Sequence, residues 1–168
     1  PVGYVTLTVR GTGGSGTEAF TYLGAPLQSA VLSAGSVDSH GTNSITDSSQ
    51  VWTVDEFANT HYVMLTSGTH TGKSATIVAN TDDTLTTFED LDPLISNGES
   101  YEIRKYTTIA DIFGPANEAG LNGGSSSGVA DTILVQNNSG SFDTYYFKDS
   151  GFIGGTGWRK SDDATTDQ

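Results

Sequence analysis

The sequence predicts an all-β protein, a sandwich or barrel of about nine or ten short strands with one short helix. Three observations support this fold class. Segments in which apolar and polar residues alternate recur along the chain, and this is the period of a half-buried strand. Glycine, asparagine, aspartate and serine separate these segments as turn residues. Helical spacing is evident in only one short stretch.

The first ten residues, PVGYVTLTVR, predict a strand at one end of the chain. Val5, Leu7 and Val9 share one face of this strand, while Val2 and Tyr4 lie with threonines on the other. These five residues are the candidate assembly residues of the chain.

The following residues 11–16, GTGGSG, are predicted to form a glycine-rich leash that spans at most ~20 Å. A strand on such a leash can pair within its own domain or with a neighbouring molecule. We therefore divide the chain into a donor strand at 1–10, a leash at 11–16 and a β-domain at 17–168.

The first half of the β-domain is predicted as short strands with one long polar interruption. The successive segments are AFTYLG, PLQSAVLS, VWTVDEFA, HYVMLTS, KSATIVA, DTLTTF and SYEIRKY. The polar interruption at 34–50 is predicted as turns, and residues 55–58 as one helical turn. In SYEIRKY, we expect Tyr101, Ile103 and Lys105 on one face.

The single short helix is predicted within TTIADIFG. Thr107 or Thr108 is its N-cap, Asp111 lies in its first turn, and Gly-Pro at 114–115 ends it. A flexible loop is predicted near 117–128 from its glycine and serine content. The strands VADTILVQ, FDTYYFKDS and GFIGGTGWRK complete the chain, and we expect one continuous core.

Composition excludes several classes of partner. Acidic residues outnumber basic ones 20 to 7, which gives a net charge of −13. Such a surface repels phosphate backbones, so we expect no nucleic-acid binding. No apolar run is long enough for a membrane span. The chain has no cysteine, few lysines and abundant threonine, serine and glycine, and this composition indicates an extracellular protein.

Two strings resemble catalytic motifs and fail on their context. SGTHTGKS at 67–74 leaves three residues between its glycines, whereas a phosphate-binding loop needs four and must open a helix. The string GSSSG around Ser126 matches the nucleophile elbow, but it leads into a strand from a glycine-serine run. We interpret the first as a turn and the second as a linker.

The titratable residues form no recognisable site in the sequence. His40, His61 and His70 lack the spacing of metal ligands. An acidic group at 82–92 and another in the tail could bind Ca²⁺, but we interpret them as solvated and turn-capping residues. We therefore expect no cofactor, no metal and no enzymatic activity.

The aromatic residues and one sequon leave two alternatives open. Trp52, Trp158 and several tyrosines are interpreted as core and cross-strand residues, although they could line a sugar-binding surface. Tyr145, Tyr146 and Phe147 place aromatics on both strand faces, so one face must be covered, and a partner subunit would serve. Asn137 begins an N-x-S sequon in a predicted hairpin turn and is a candidate glycosylation site.

Three stretches of the chain are similar to a family of uncharacterised secreted β-rich proteins from environmental bacteria. They are GYVTLTV, the region YVMLTSG through ATIVANTDDTLTT to YEIRKYTTIADIFG, and YYFKDSGF with GWRK. The resemblance implies extracellular fibrils in which the N-terminal strand of one copy completes the sheet of the next. It implies no catalytic residues.

From these observations we predict a structural subunit of an extracellular filament. It would polymerise head-to-tail with copies of itself by N-terminal β-strand complementation, because an extended segment can add to an open sheet edge. The alternative is a secreted module that binds carbohydrate or another surface, with glycans as partners.

Overall fold

The computed structural model describes residues 29–137, 139–149 and 155–163. The strands in these residues are β1 Val31–Ser36, β2 Ser39–Gly41, β3 Ser44–Thr46, β4 His61–Leu65, β5 Ser74–Asn80, β6 Thr84–Thr87, β7 Ser100–Lys105, β8 Thr132–Gln136, β9 Phe142–Lys148 and β10 Gly157–Lys160. One helix, α1, covers Ile109–Phe113, and a 3-10 turn covers Asp92–Leu94. The predicted all-β class is confirmed. No helix in these residues is both long and apolar enough to cross a membrane.

The strands form two antiparallel sheets. The first has seven strands in the order β1-β7-β4-β5-β6-β3-β2, and the second has three in the order β10-β9-β8. Each sheet is contiguous in sequence, since the first ends with β7 and the second begins after α1. The second sheet therefore uses only the last part of the described chain.

The seven-stranded sheet is rolled up. Its two terminal strands, β1 and β2, are separated by only Val37 and Asp38. Seven flat strands would place these edges ~29 Å apart, whereas three Cα steps span only ~11 Å. The Val37 amide still donates to Glu99 beside β7, and the Asp38 amide donates to Thr46 in β3. The chain therefore crosses here from one end of the sheet to the other.

The interior of the roll is the main hydrophobic core. Strand alternation supplies it, because Tyr101 and Ile103 in β7 are both buried while Lys105 at the strand end is exposed. Lys105 has the same strand parity as Tyr101 and Ile103 but lies at the exposed end of β7. The buried members of this core are Val37, Ile45, Phe57, Val63, Leu65, Ala75, Ile77, Leu85, Leu91, Ile95, Tyr101 and Ile103.

A separate hydrophobic cluster lies on the second sheet. Phe113 from α1, Phe147 from β9 and Trp158 from β10 are its buried members, with Ile133 from β8 packed against them. The predicted single continuous core is therefore wrong for the described residues. The small sheet has its own core because α1 covers one of its faces.

Two local predictions are also wrong. The segment 34–50, predicted as turns, contains the end of β1 and the β2–β3 hairpin. Its side chains are mostly polar, so the alternation that marks a strand is hidden. Residues 55–58 form successive turns instead of a helical turn, because Asp55 and Asn59 adopt left-handed conformations with φ of 59° and 57°.

The helix α1 begins as predicted, and Thr108 is its N-cap. The Thr108 hydroxyl accepts from the Asp111 amide at 3.1 Å, and the Asp111 carboxylate accepts from the Thr108 amide at 2.9 Å. The Thr108 amide and the Thr108 hydroxyl both donate to this carboxylate and lower the pKa of Asp111. The reciprocal pair is a capping box, and Gly114 ends the helix.

We expect Thr108→Ala to destabilise the chain by about 1 kcal/mol, because it removes the acceptor for the Asp111 amide. Urea denaturation followed by circular dichroism measures this change. Thr107→Ala is the matched control, since the exposed Thr107 hydroxyl bonds only to Ser29 and caps nothing in α1. An equal loss in both variants would contradict the assignment of Thr108 as the cap.

Candidate assembly edge

The predicted donor residues lie outside the described residues. These are Val2, Tyr4, Val5, Leu7 and Val9, together with the leash at 11–16. What the structure does describe is the set of sheet edges that an added strand would pair with. The two sheets have four edge strands, β1, β2, β8 and β10, and they differ in how accessible their outer backbone is.

The outer edge of β1 is occupied by side chains from the segment after β3. The outward amide of Ser36 donates to Asp47 at 3.2 Å, and the outward carbonyl of Ala34 accepts from Gln50 at 3.3 Å. The Trp52 ring nitrogen also donates to the Ser33 hydroxyl at 3.2 Å. An added strand would have to displace these groups.

The edges at β2 and β10 are also poor receivers. Strand β2 has only three residues, Ser39–Gly41, and so offers little backbone. Strand β10 is largely buried, with Trp158 and Arg159 at 1% and 3% exposure. The strand therefore exposes little side-chain surface to an added chain.

Among the described residues, no strand or side chain pairs with the backbone along the outer edge of β8. The Asn137 amide donates to Ser141, which makes this a hydrogen-bonded pair across the hairpin. Because such pairs alternate in an antiparallel ladder, Thr132, Leu134 and Gln136 direct their backbone groups away from β9. The hydrogen bonds on the β10 side of β9 support this assignment. Thr144 lies opposite Leu134, and its carbonyl accepts from the Ser161 amide, so it points away from β8. These outward amides and carbonyls have no partner among the described residues.

Apolar side chains surround this open edge. Leu134 is 47% exposed, Val135 42% and Phe142, near the start of β9, 59%. A shallow cavity of about 230 Å³ opens on the α1 side of the sheet and is lined by Thr107, Thr108, Ile109, Val135 and Tyr145. An exposed, unpaired and apolar strand edge is a template for pairing with another chain. We refer to β8 with Phe142 and this cavity as the β8 edge.

The sequon asparagine lies at the tip of the same hairpin. The Asn137 side-chain oxygen accepts from the Ser139 hydroxyl at 2.6 Å and from the Ser141 amide at 3.1 Å. Its side-chain nitrogen, where a sugar would be attached, donates to Asp143 at 3.2 Å. The side chain therefore already closes the β8–β9 turn, and glycosylation at Asn137 stays a prediction.

The two motif-like strings occupy the contexts that their sequences indicated. SGTHTGKS forms the turn between β4 and β5, where the Thr71 hydroxyl donates to the Gly68 carbonyl. Ser126 lies in an irregular segment that precedes β8. The predicted loop at 117–128 is tied to β9, because the Gly124 amide donates to Phe147.

The histidines and acidic residues occupy separate local roles. His40 pairs with Asp92 at 2.8 Å, while the His70 ring nitrogen lies 3.0 Å from the Leu94 carbonyl. Asp83 caps the β5–β6 turn through the Thr84 hydroxyl at 2.8 Å. No group of three or more potential metal ligands occurs in the part of the chain that the structure describes.

The described aromatic residues are mainly packing residues. Trp158, Tyr101 and Tyr146 are almost fully buried, and Trp52 packs against the main core at its margin. Tyr146 and Phe147 are both buried within a single chain, so their two faces do not require a partner subunit. The aromatic residues on the two faces of β9 therefore give no support to assembly.

No protein-family model, curated protein or solved structure matches this chain. The resemblance to secreted fibril proteins therefore stays a prediction.

Proposed function

We propose that this chain is the structural subunit of an extracellular filament that grows head-to-tail. Residues 2–9 of one copy add as a strand to the β8 edge of the next copy. The partner is thus another copy of the same chain, and the proposal includes no catalysis and no cofactor.

The open β8 edge is the observation that carries this proposal. Adding a strand would satisfy the outward backbone groups of Thr132, Leu134 and Gln136 and cover the exposed side chains of Leu134 and Val135. The contact joins two different surfaces of the subunit, so it propagates along a chain of copies.

Charge also supports a second copy as the occupant. The subunit carries a net charge of −13, and copies of it repel each other. Residues 1–17 contain no aspartate or glutamate and one arginine, Arg10. This part of the chain can therefore approach an acidic neighbour without like-charge repulsion. The extracellular location is proposed from the absence of cysteine and the threonine-, serine- and glycine-rich composition.

The proposal is tested by electron microscopy and sedimentation of the full chain with Leu134→Lys. Lysine on an edge strand blocks edge pairing, and Leu134 is exposed enough to accept it without unfolding the subunit. A loss of ~1.4 kcal/mol per contact would reduce the association constant about tenfold and leave short filaments or monomers. Leu7→Asp should have the same effect from the donor side by placing an unpaired charge against apolar residues.

Val51→Lys is the matched control, because Val51 is 89% exposed and lies outside both sheets. It adds the same charge and removes a similar apolar side chain. Circular dichroism establishes that all three variants are folded. Normal filaments from folded Leu134→Lys and Leu7→Asp would sink the proposal, as would equal loss in the Val51→Lys control.

A further inference from the structure

We propose a defined facing for the added strand: Val5, Leu7 and Val9 of the second copy lie over Ile133 and Val135, on the side of the sheet that α1 covers. The inference rests on the proposed function and specifies how the donor is recognised. In the opposite facing, Thr6 and Thr8 of the donor would lie on the side that α1 covers.

The parity of β8 allows only these two facings. Ile133 and Val135 project to one face, the one that carries Tyr145 and the Phe147–Trp158 cluster. Thr132, Leu134 and Gln136 project to the other face. In paired strands, residues opposite each other share a face in either direction of pairing. The donor therefore presents one complete set of alternate residues to Val135 and the other set to Leu134.

The α1 side offers an apolar receptor. Ile133 already packs against the second core, and Val135 is partly uncovered beside it. The cavity there is lined by Ile109, Val135 and Tyr145, with two threonines at its rim. Aliphatic side chains entering from the edge would extend the existing core and bury this surface. Burial of apolar area stabilises association by about 25 cal/mol per Å².

The other side of the sheet carries both polar and apolar groups. Thr132 and Gln136 flank Leu134 there, Thr144 lies opposite Leu134 in β9, and the exposed Phe142 lies opposite Gln136. Thr6 and Thr8 of the donor can exchange hydrogen bonds with Thr132 and Gln136 across the new pair. Placing Val5, Leu7 and Val9 on this side would leave the cavity on the α1 side unfilled.

Disulfide trapping in the full chain tests this facing, because the chain contains no cysteine of its own. Chains with Val135→Cys are mixed with chains carrying Val5→Cys, Leu7→Cys or Val9→Cys under mild oxidation. Adjacent strands lie ~4.8 Å apart, which falls within the Cα separation of a disulfide. We expect at least one of these mixtures to form the mixed dimer several-fold more efficiently than the matched Thr6→Cys and Thr8→Cys chains.

The outcomes separate the facing from the function. Preferred trapping by Thr6→Cys or Thr8→Cys overturns the facing and leaves strand donation intact. Filaments without any trapping at Val135 overturn the inference, because the receiving edge is then elsewhere. A dominant Val135–Val135 cross-link indicates two β8 edges paired with each other and overturns both proposals. A further chain that carries both Val135→Cys and Leu7→Cys tests for a folded-back strand, and a cross-link found only within this chain overturns both proposals.

Discussion

Replacing Asp47 with alanine is expected to destabilise the seven-stranded sheet by about 3 kcal/mol, because it leaves the buried Tyr101 hydroxyl and several partly buried donors without an acceptor. The Asp47 carboxylate is 2% exposed. It accepts from the Tyr101 hydroxyl at 2.7 Å, the Gln50 amide at 3.0 Å, the Ser49 hydroxyl at 2.6 Å and the Ser36 amide at 3.2 Å. One side chain thus satisfies donors from β1, β7 and the segment after β3.

The position of Asp47 explains the size of this effect. These bonds lie at the corner where β1 leaves one end of the rolled sheet for the other. Gly35 gives the carboxylate its space, since a Cβ there would overlap Asp47 Oδ2 and lie 2.6 Å from the Tyr101 oxygen. Asp47→Ala therefore removes these hydrogen bonds and also weakens the contact that closes the rolled sheet.

Urea denaturation measures this loss, and two further variants interpret it. Asp47→Asn keeps the side-chain volume but replaces one acceptor oxygen with an amide NH2 group, which faces other donors. We therefore expect nearly the same loss of stability. Asp38→Ala is the matched control, because Asp38 is exposed and caps Ser48 from outside the core. A full recovery of stability in Asp47→Asn would show that volume, and not hydrogen bonding, is the important property.

The same carboxylate makes stability depend on pH. Burial raises the pKa of Asp47, but the hydrogen bonds from Ser49, Tyr101 and Gln50 outweigh it and lower the pKa from 3.8 to about 2. A lowered folded-state pKa stabilises the fold above the unfolded value of 3.8, and this stabilisation is lost as the pH falls toward 2. The shift corresponds to about 2 kcal/mol, which wild type should lose between pH 5 and 2 relative to Asp47→Asn.

At high pH, the stability of the fold depends on the Tyr101 hydroxyl. Burial and the neighbouring Asp47 carboxylate raise the pKa of the Tyr101 hydroxyl above its usual value of 10. A raised folded-state pKa stabilises the fold below pH 10, and this stabilisation is lost as the hydroxyl ionises at higher pH.

The sequence predicted the elements whose local residue pattern is typical of a strand or a helix start. The alternation of Tyr101 and Ile103 predicted β7 and its buried face, and Thr108 with Asp111 predicted the start of α1. The β2–β3 hairpin was missed because Ile45 is its only buried apolar residue and the turn between the strands depends on a left-handed Asn43. Such a hairpin is stabilised mainly by its neighbour β6, a tertiary contact that local sequence does not encode.

The receiving edge was not predicted because strand order is a long-range property. The segment VADTILVQ indicates a strand, but nothing local places β8 at an edge. One signal was available: Ile133, Leu134 and Val135 in succession put apolar side chains on both faces of a short strand. In a strand buried on both faces this is ordinary, whereas here it leaves Leu134 and Val135 exposed. Whether such a strand is buried on both faces or lies exposed at an edge depends on the strand order of the three-stranded sheet.

Replacing Trp158 with alanine is expected to unfold the second sheet while the first remains folded. Trp158 is 1% exposed, and its ring packs 5.2 Å from Phe147 and 5.9 Å from Phe113 between centroids. Its indole nitrogen donates to the Gly114 carbonyl at the end of α1 at 2.8 Å. Removing a buried tryptophan costs about 3–5 kcal/mol, and Trp158 is one of three buried residues of this cluster in the described part of the chain.

Amide hydrogen exchange distinguishes the two sheets in this variant. We expect protection to fall in β9, around Tyr145, and to persist in β4 and β7, around Val63 and Ile103, because the clusters are separate. Trp158→Phe is the matched variant, since it keeps an aromatic ring in the cluster and loses the bond to Gly114 and a smaller part of the packing. An equal fall in both sheets would mean that the two clusters unfold as one cooperative unit.

The same variant tests the proposed assembly, because the β8 edge belongs to the sheet that Trp158 supports. Once that sheet opens, Thr132, Leu134 and Gln136 no longer present their backbone groups in register. Filaments should then be lost in Trp158→Ala and retained in Trp158→Phe. Persistent filaments with an unprotected β9 would place the receiving edge in the seven-stranded sheet instead. That edge would have to be β1 after release of Asp47 and Gln50, or the short β2.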